Sequence, residues 1–398
     1  MSLLPISDWT LRPTKEIVAE FTEKSKGPND PPKGDKSGAN LVCRTRINPL
    51  DFYAYLRARF GEPNGFFQKL FPANSANLLH WDYYLQCGET KITIYGLTRE
   101  VRLIASCEMT DPDWLEFFVA LKREFGRLGK EKSNIQKSFE KWHIFQNKYA
   151  AIADTCAELH GDITDETEQT INAIAYGVNE VAEGYSDLMK EISARANRIY
   201  GKCLQLRLLT PILFEAFINY MVLCLAKREL RSENDFWPSF KVMPFHEKLE
   251  KLHDLCVGID TKLDLSTDTA KKFLRVRSSR NDHLHGNYNP ESDFIERVYF
   301  DGKIPIYETG GDVVKLYWEK MEEYIDPNRA IEDYEVTLLF VAEVMGYLKH
   351  PYREQFDILL DDALPGWDLN RKIMGKLFPN ELVQLYHEGL KYDDEISS

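Results

Sequence analysis

The feature that most constrains this chain is a pair of apolar stripes spaced for helices. Ile135, Phe139, Trp142, Phe145, Tyr149, Ile152, Cys156 and Leu159 follow one another in steps of 4, 3, 3, 4, 3, 4 and 3. Ile171, Ile174, Val178, Val181, Tyr185, Leu188, Ile192, Ala196 and Ile199 continue with steps of 3, 4, 3, 4, 3, 4, 4 and 3. Residues three and four apart share one face of a helix, so each run predicts a long helix with a narrow apolar seam. Ser133 can cap the first helix and His160-Gly161 can end it. Two such seams joined by a short break predict a helical hairpin over 131–204. Its stripes would be buried against each other, a neighbouring domain or a second copy.

A chain of 398 residues has room for two or three domains. Residues 1–130 read as a smaller α+β domain with a sensing or regulatory role. Short helical patterns lie at 49–59 and 65–70, and strand-like runs at 78–85, 91–95 and 101–107. Residues 26–38, rich in Pro, Gly and charge, read as a loop. Thr110-Asp-Pro-Asp carries cap chemistry for a helix. Residues 205–398 read as a helical domain. Thr210-Pro211 predicts a helix start, with Thr as cap and Pro in the first turn. A shorter helix follows Pro244, and Thr267 opens one that Gly286 and Asn287 close. Asp301-Gly302 predicts a β-hairpin inserted at 298–307, and a last helix spans about 328–348. The expected fold is therefore mainly α, with a small α+β domain ahead of a helical bundle.

Hydrophobic residues make up 43% of the chain and charged residues 28%, values that suit a folded chain. No uninterrupted apolar run approaches the ~18 residues that span a bilayer, and the first residues show no secretory signal. A cytoplasmic protein without a membrane partner is expected. The seven cysteines are scattered, odd in number and without a C-x-x-C, so reduced, buried thiols are expected rather than disulfides or zinc. There is no G-x-S-x-G, G-x-G-x-x-G or P-loop. His246-Glu247 is followed by His253, seven residues on, where a zincin needs four. No cofactor is expected.

The net charge of −13 argues against broad nucleic-acid affinity. The local exception is 271–280, with five basic residues (Lys271, Lys272, Arg275, Arg277 and Arg280) and no acidic one. A small positive patch on an acidic body can still select a phosphate. The segment continues Arg280-Asn281-Asp282-His283-Leu284-His285-Gly286. On a helix, Asn281 and His285 share a face and Arg280 lies at its edge. His283 is about 200° from His285 in projection. An adjacent Asp282-His283-x-His285 metal set is disfavoured, because neighbouring positions point apart and no third ligand is visible. A helix end favours a protonated imidazole. Metal-independent RNA cleavage needs a base for the 2′-OH, a cation for the phosphate and an acid for the 5′-oxygen. Histidine can be base or acid, and arginine holds phosphate through its planar fork. One histidine falls short of two proton-transfer groups; a symmetric dimer would supply both.

Arg280 to His285 resembles the R-x4-6-H motif of HEPN domains, with the polar residue after the arginine that the family prefers. Its setting is similar too: the apolar helix from Thr210, then Phe245-His-Glu-Lys-Leu-Glu-Lys-Leu, then the Arg–His helix ending at Gly286. The resemblance covers roughly 205–348. It implies an all-helical, dimerising RNase of the kind found in bacterial toxin–antitoxin, abortive-infection and other anti-phage systems. An antitoxin or a phage-derived trigger protein would be a candidate partner. Carried over, Arg280 stabilises the phosphate, His285 is the acid or base and Asn281 supports them. Lys271, Lys272, Arg275, Arg277 and His283 would bind substrate, and Glu215 matches an acidic position of the family. The rival expectation is a non-catalytic binding or scaffold protein built on the same fold.

Overall fold

The computed structural model describes residues 3–24, 38–65, 80–97, 99–177, 185–285, 290–291, 294, 296–308, 326–378 and 391–396. Within its helices, the side chains of 21, 23–24, 166–177, 185–193, 195–196, 282–283 and 285 are not described. The protein is mainly helical and divides into two compact units, 1–141 with 377–398, and 142–376.

The first unit is built on a six-stranded sheet. Its strands are β1 (Thr10–Leu11), β2 (Ala39–Cys43), β3 (Trp81–Cys87), β4 (Thr90–Gly96), β5 (Val101–Ala105) and β11 (Lys391–Tyr392), in the order β1-β3-β4-β5-β2-β11. All pairings are antiparallel except β11 with β2. Helices α1 (Thr14–Lys24), α2 (Pro49–Phe60), α3 (Asp111–Arg127) and α4 (Gly129–Ser138) complete it. Asn48 caps α2 by accepting the N–H of Leu50 and Asp51. The N–H of Thr110 donates to Asp113 at 2.8 Å at the start of α3. The strands expected near 91–95 and 101–107 form as β4 and β5. The patterns at 26–37 and 66–70 lie outside the described residues. Tyr55, Phe52, Tyr83, Trp114 and Phe117 fill the core and are fully buried or nearly so.

The second unit begins with β6 (Trp142–Ile144), which pairs with β9 (Gly366–Asp368) and, through it, β10 (Ile373–Gly375). Then come α5 (Lys148–Gly177), α6 (Tyr185–Leu225), the short helices α7 (Arg228–Ser232), α8 (Phe236–Val242), α9 (Phe245–Glu250) and α10 (Leu252–Leu255), and α11 (Asp268–His285). The hairpin β7 (Val298–Asp301) and β8 (Ile304–Tyr307), α12 (Pro327–Gly346) and α13 (Tyr352–Leu360) follow. The hairpin turns at Asp301-Gly302 as expected, with Gly302 at φ 63°, a conformation open to glycine. Tyr299, Phe300, Ile304, Ile306 and Tyr307 on it are exposed.

Three expectations are corrected. The first long helix does not start at Ser133 or end at Gly161. The chain leaves α4, runs extended through 142–144 and re-enters a helix at Lys148, so Gly161 is interior. Asn147 sets the restart: its Oδ1 accepts the N–H of Ala150, while its Nδ2 donates to the carbonyls of Leu360 and Asp362. Those partners lie more than 200 positions away, which an apolar spacing cannot register. Second, Thr210-Pro211 starts no helix. Pro211 sits inside α6, and the Thr210 hydroxyl donates back to the Leu206 carbonyl at 2.7 Å. An interior proline costs about 3 kcal/mol; burial of Leu213, Phe214, Phe217 and Ile218 just beyond it offsets that, at about 1.5–3 kcal/mol per large side chain. Third, α6 runs straight through the boundary drawn at 204/205, so the ranges 131–204 and 205–398 do not separate. Residues 129–138 belong to the first unit, and 377–398 return to it.

α5 and α6 pack as a hairpin through Cys156, Ile163, Ile199, Cys203 and Leu206, with Lys202 paired to Asp162 at 2.9 Å. Asn197–Leu225 is long and apolar enough by composition to cross a membrane, although Arg207 and Glu215 interrupt it. Of its most apolar window, 61% is buried inside the fold, as in a core helix. Phe214 is the hub of the second core: its ring centroid is 4.3 Å from Phe273 and 4.7 Å from Phe340. These contacts tie α6, α11 and α12 together and position the candidate site. The described cysteines are all free thiols, and six of the seven are buried; burial raises the Cys156 thiol to about 11 and the Cys203 thiol to about 12.

Candidate functional site

The site grows from α11. Thr267 caps it by accepting the N–H of Ala270 at 3.2 Å. Ala270, Phe273 and Val276 are the buried stripe, three apart as a core-facing helix requires. Arg277 and Arg280 occupy the next stripe and face α6. Arg277 Nε and Arg280 Nη2 both donate to the same Glu215 oxygen, Oε1, at 3.3 Å. The Arg277 guanidinium also lies 4.8 Å from the centroid of the Phe245 ring on α9, within cation–π range.

A third cation faces the same carboxylate. Lys248 on α9 donates from Nζ to Asn219 Oδ1 at 2.9 Å and lies 4.4 Å from the Phe240 ring. Burial pushes the Lys248 ammonium below its ordinary value, and the Glu215 charge opposes that shift. Among the described residues, cations therefore outnumber carboxylates around Glu215. Arg280 is 14% exposed, and its Nε is buried with no hydrogen-bond partner among the described residues. A buried donor without an acceptor is expensive, at about 1–3 kcal/mol; it is also unspent recognition capacity beside the segment that the sequence singles out.

On the neighbouring side, Arg207 bridges three helices. Its Nε pairs with Asp333 Oδ2 of α12 at 3.0 Å, and its Nη2 donates to Ser279 Oγ of α11 at 2.8 Å. Burial raises the Asp333 carboxyl, while Arg207 beside it pulls the other way. Two adjoining hollows open between α11 and α12. One, of about 430 Å³, is lined by Leu274, Arg275, Ser278, Ser279 and Arg329. The other, of about 330 Å³, shares Arg275, Ser279 and Arg329 and adds Lys272, Asp326, Glu332 and Asp333 among its walls.

The structure thus brings Arg280, Arg277 and Glu215 together. Lys271, Lys272 and Arg275 are exposed on the outer side of α11, and Asn281 is half-buried. Arg277, expected to bind substrate, is engaged by Glu215 and Phe245 instead. His283 and His285 have their backbone in the last turn of α11; their side chains, like that of Asp282, lie outside the described residues. Among the described residues no three His, Cys, Asp or Glu side chains gather as a metal site does. Arg207, Asp333, Lys248 and Arg329 escaped the sequence reading. The signal for Arg207 was present: it and Glu215 are eight apart, about 80° in projection on one helix, but a helix start at Thr210 separates them. Set against protein-family models, curated proteins and solved structures, the chain matches none.

Proposed function

We propose that this chain is a HEPN-type, metal-independent endoribonuclease acting as a homodimer. The observation that carries this reading is Arg280: a guanidinium held on the last turns of a bundle helix by Glu215, with an unspent donor, five residues before a histidine in the same helix. In the reaction, the 2′-OH attacks the adjacent phosphorus and the P–O5′ bond breaks, leaving a 2′,3′-cyclic phosphate and a 5′-hydroxyl. His285 of one copy takes the 2′-OH proton, and the equivalent histidine of the second copy protonates the departing oxygen. Arg280 stabilises the rising phosphate charge. Asn281 supports that geometry, and Lys271, Lys272 and Arg275 draw the strand in. A cytoplasmic setting and a role in anti-phage or toxin defence, under an antitoxin or phage-derived trigger, follow from the same resemblance.

A second reading is favoured by one observation. The Arg280 guanidinium is mostly buried and hydrogen-bonded to Glu215, as a purely structural arginine would be. The chain would then be a binding or scaffold protein on the same fold. Incubating the purified protein with RNA and chelator separates the two. The nuclease reading expects fragments with cyclic phosphate ends that vanish in Arg280→Ala and His285→Ala and persist in His283→Ala. Undiminished cleavage in the Arg280→Ala, His285→Ala double variant would end it, and loss of cleavage with chelator would move the chemistry to a metal. Expression in a bacterial host gives a parallel readout: growth slows in a His285-dependent way for a nuclease and not for a scaffold.

A further inference from the structure

We infer that Arg329 on α12, with Arg275 on α11, forms a subsite for one flanking phosphate of single-stranded RNA; this rests on the nuclease reading above. Both residues are exposed; Arg329 also acts on the Asp333 carboxylate, which Arg207 holds at 3.0 Å. They face each other across the hollow of about 430 Å³, whose remaining walls are Leu274, Ser278 and Ser279. Among the described residues, no carboxylate lines it. Two guanidiniums and hydroxyl-bearing walls match the oxygens of a phosphodiester. The volume is within the range of small ligand pockets, about 300–1,000 Å³.

The adjoining hollow limits what can bind. It adds Lys272 but also Asp326, Glu332 and Asp333. Asp326 is occupied capping α12 through the Asn328 N–H, and Asp333 is held by Arg207. Glu332 still repels a second phosphate there. The pair of hollows therefore takes one phosphate and offers carboxylate oxygens to the base amino groups of the next nucleotide. A duplex holds its successive phosphates and bases in a fixed stack and fits poorly, whereas a single strand can turn its next phosphate away from Glu332. Ser279 lines both hollows and precedes Arg280 in the chain. The Arg207–Ser279 hydrogen bond fixes that wall, so the Arg275 half of the subsite and the proposed scissile position are carried on one helix, α11. Arg329 is accordingly a positioning residue, not a catalytic one.

The test uses the full chain and a fluorescent, 2′-O-methylated single-stranded oligonucleotide of about eight nucleotides, which cannot cleave itself and suits a short site. Affinity is measured against salt. Arg329→Ala should weaken binding about fivefold and flatten the plot of log K against log salt by about 0.7, one phosphate's share for a single strand. Arg275→Ala should do the same, and Arg329→Lys should restore the slope. On cleavable RNA, Arg329→Ala should raise KM with kcat unchanged. If the wild-type chain cleaves RNA and both alanine variants bind with unaltered slope, the subsite is wrong and the nuclease reading stands. If the chain binds in an Arg329-dependent way without cleaving, the nuclease reading falls and the subsite stands. No binding of the oligonucleotide by the wild-type chain overturns the subsite, as does equal or tighter binding of a duplex.

Discussion

Asp393 and Glu215 are both carboxylates set among cations and backbone donors, one in each unit, and they are used in opposite ways. Asp393 is completely buried. Its oxygens accept the N–H groups of Arg44, Thr45 and Arg46 at 3.2, 3.1 and 2.7 Å and the Thr45 hydroxyl at 3.1 Å. Arg46 reaches past it to the carbonyls of Asp393 and Ile396, and Arg44 lies over the Tyr392 ring at 4.0 Å. Every contact runs inward, fastening residues 391–396 to the loop after β2. Glu215 is only partly buried and shares one oxygen between two guanidiniums at a long 3.3 Å, with Lys248 nearby. A saturated carboxylate is a fastener. A carboxylate outnumbered by cations, one of which keeps an unpaired buried N–H, leaves positive charge for an external anion.

The contrast can be broken in four ways. The largest effect is expected for Asp393→Ala, which removes a fully buried acceptor from three backbone N–H groups and should cost about 3–5 kcal/mol. Urea unfolding followed by tryptophan fluorescence would read it; an unchanged midpoint would show that the tail is not fastened there. Arg280→Ala should next lower kcat/KM on RNA by about 10²–10³-fold, or about 2.7–4 kcal/mol of transition-state stabilisation, while the urea midpoint moves far less than in Asp393→Ala. Glu215→Gln should reduce cleavage about tenfold, because Arg280 is then less firmly aimed. Equal activity in Glu215→Gln would make that carboxylate a bystander.

The smallest effect concerns acid. Burial pushes the Asp51 carboxyl up, but hydrogen bonds from Lys132 and Gln136 and the Lys132 charge outweigh it and hold it below the ordinary value. The folded state thus prefers the charged form. Its contribution is fully present above the ordinary carboxylate range and is lost as pH falls through the lowered folded value. The Asp51 side chain is 41% exposed, so the contribution is under about 1 kcal/mol. Asp51→Asn should flatten the acid limb of the stability profile of α2 against α4 by lowering neutral-pH stability by under about 1 kcal/mol; an unaltered acid limb would remove Asp51 from the account.

Local chemistry was legible in the sequence and long-range chemistry was not. Thr267 announces its helix because a cap and the N–H group it satisfies lie within three residues. Alternation exposes β4, where Ile92 and Ile94 are buried and Lys91 is exposed. Asp301-Gly302 marks its own hairpin. The stripes at 135–159 misled because a step of three or four also fits a helix, a strand and a second helix laid end to end. Pro211 misled because a proline that starts helices is tolerated inside one when the packing beyond it repays the lost bond. Of the site, Arg280 and the basic run around it could be found from spacing alone. Asp333 and Arg329 could not, and Arg207 could only with α6 read through Thr210: they come together through the packing of α6, α11 and α12 around Phe214.

The parallel pairing of β11 with β2 has a consequence for how the protein is made. The sheet's outermost strand leaves the ribosome after residues 142–376, at ~5–20 residues per second. A nascent chain therefore carries an entire helical unit while β2 still presents a bare edge to its surroundings. Such an edge invites pairing with any extended segment nearby, so the danger lasts while residues 142–376 are being made and ends when Asp393 reaches its cradle.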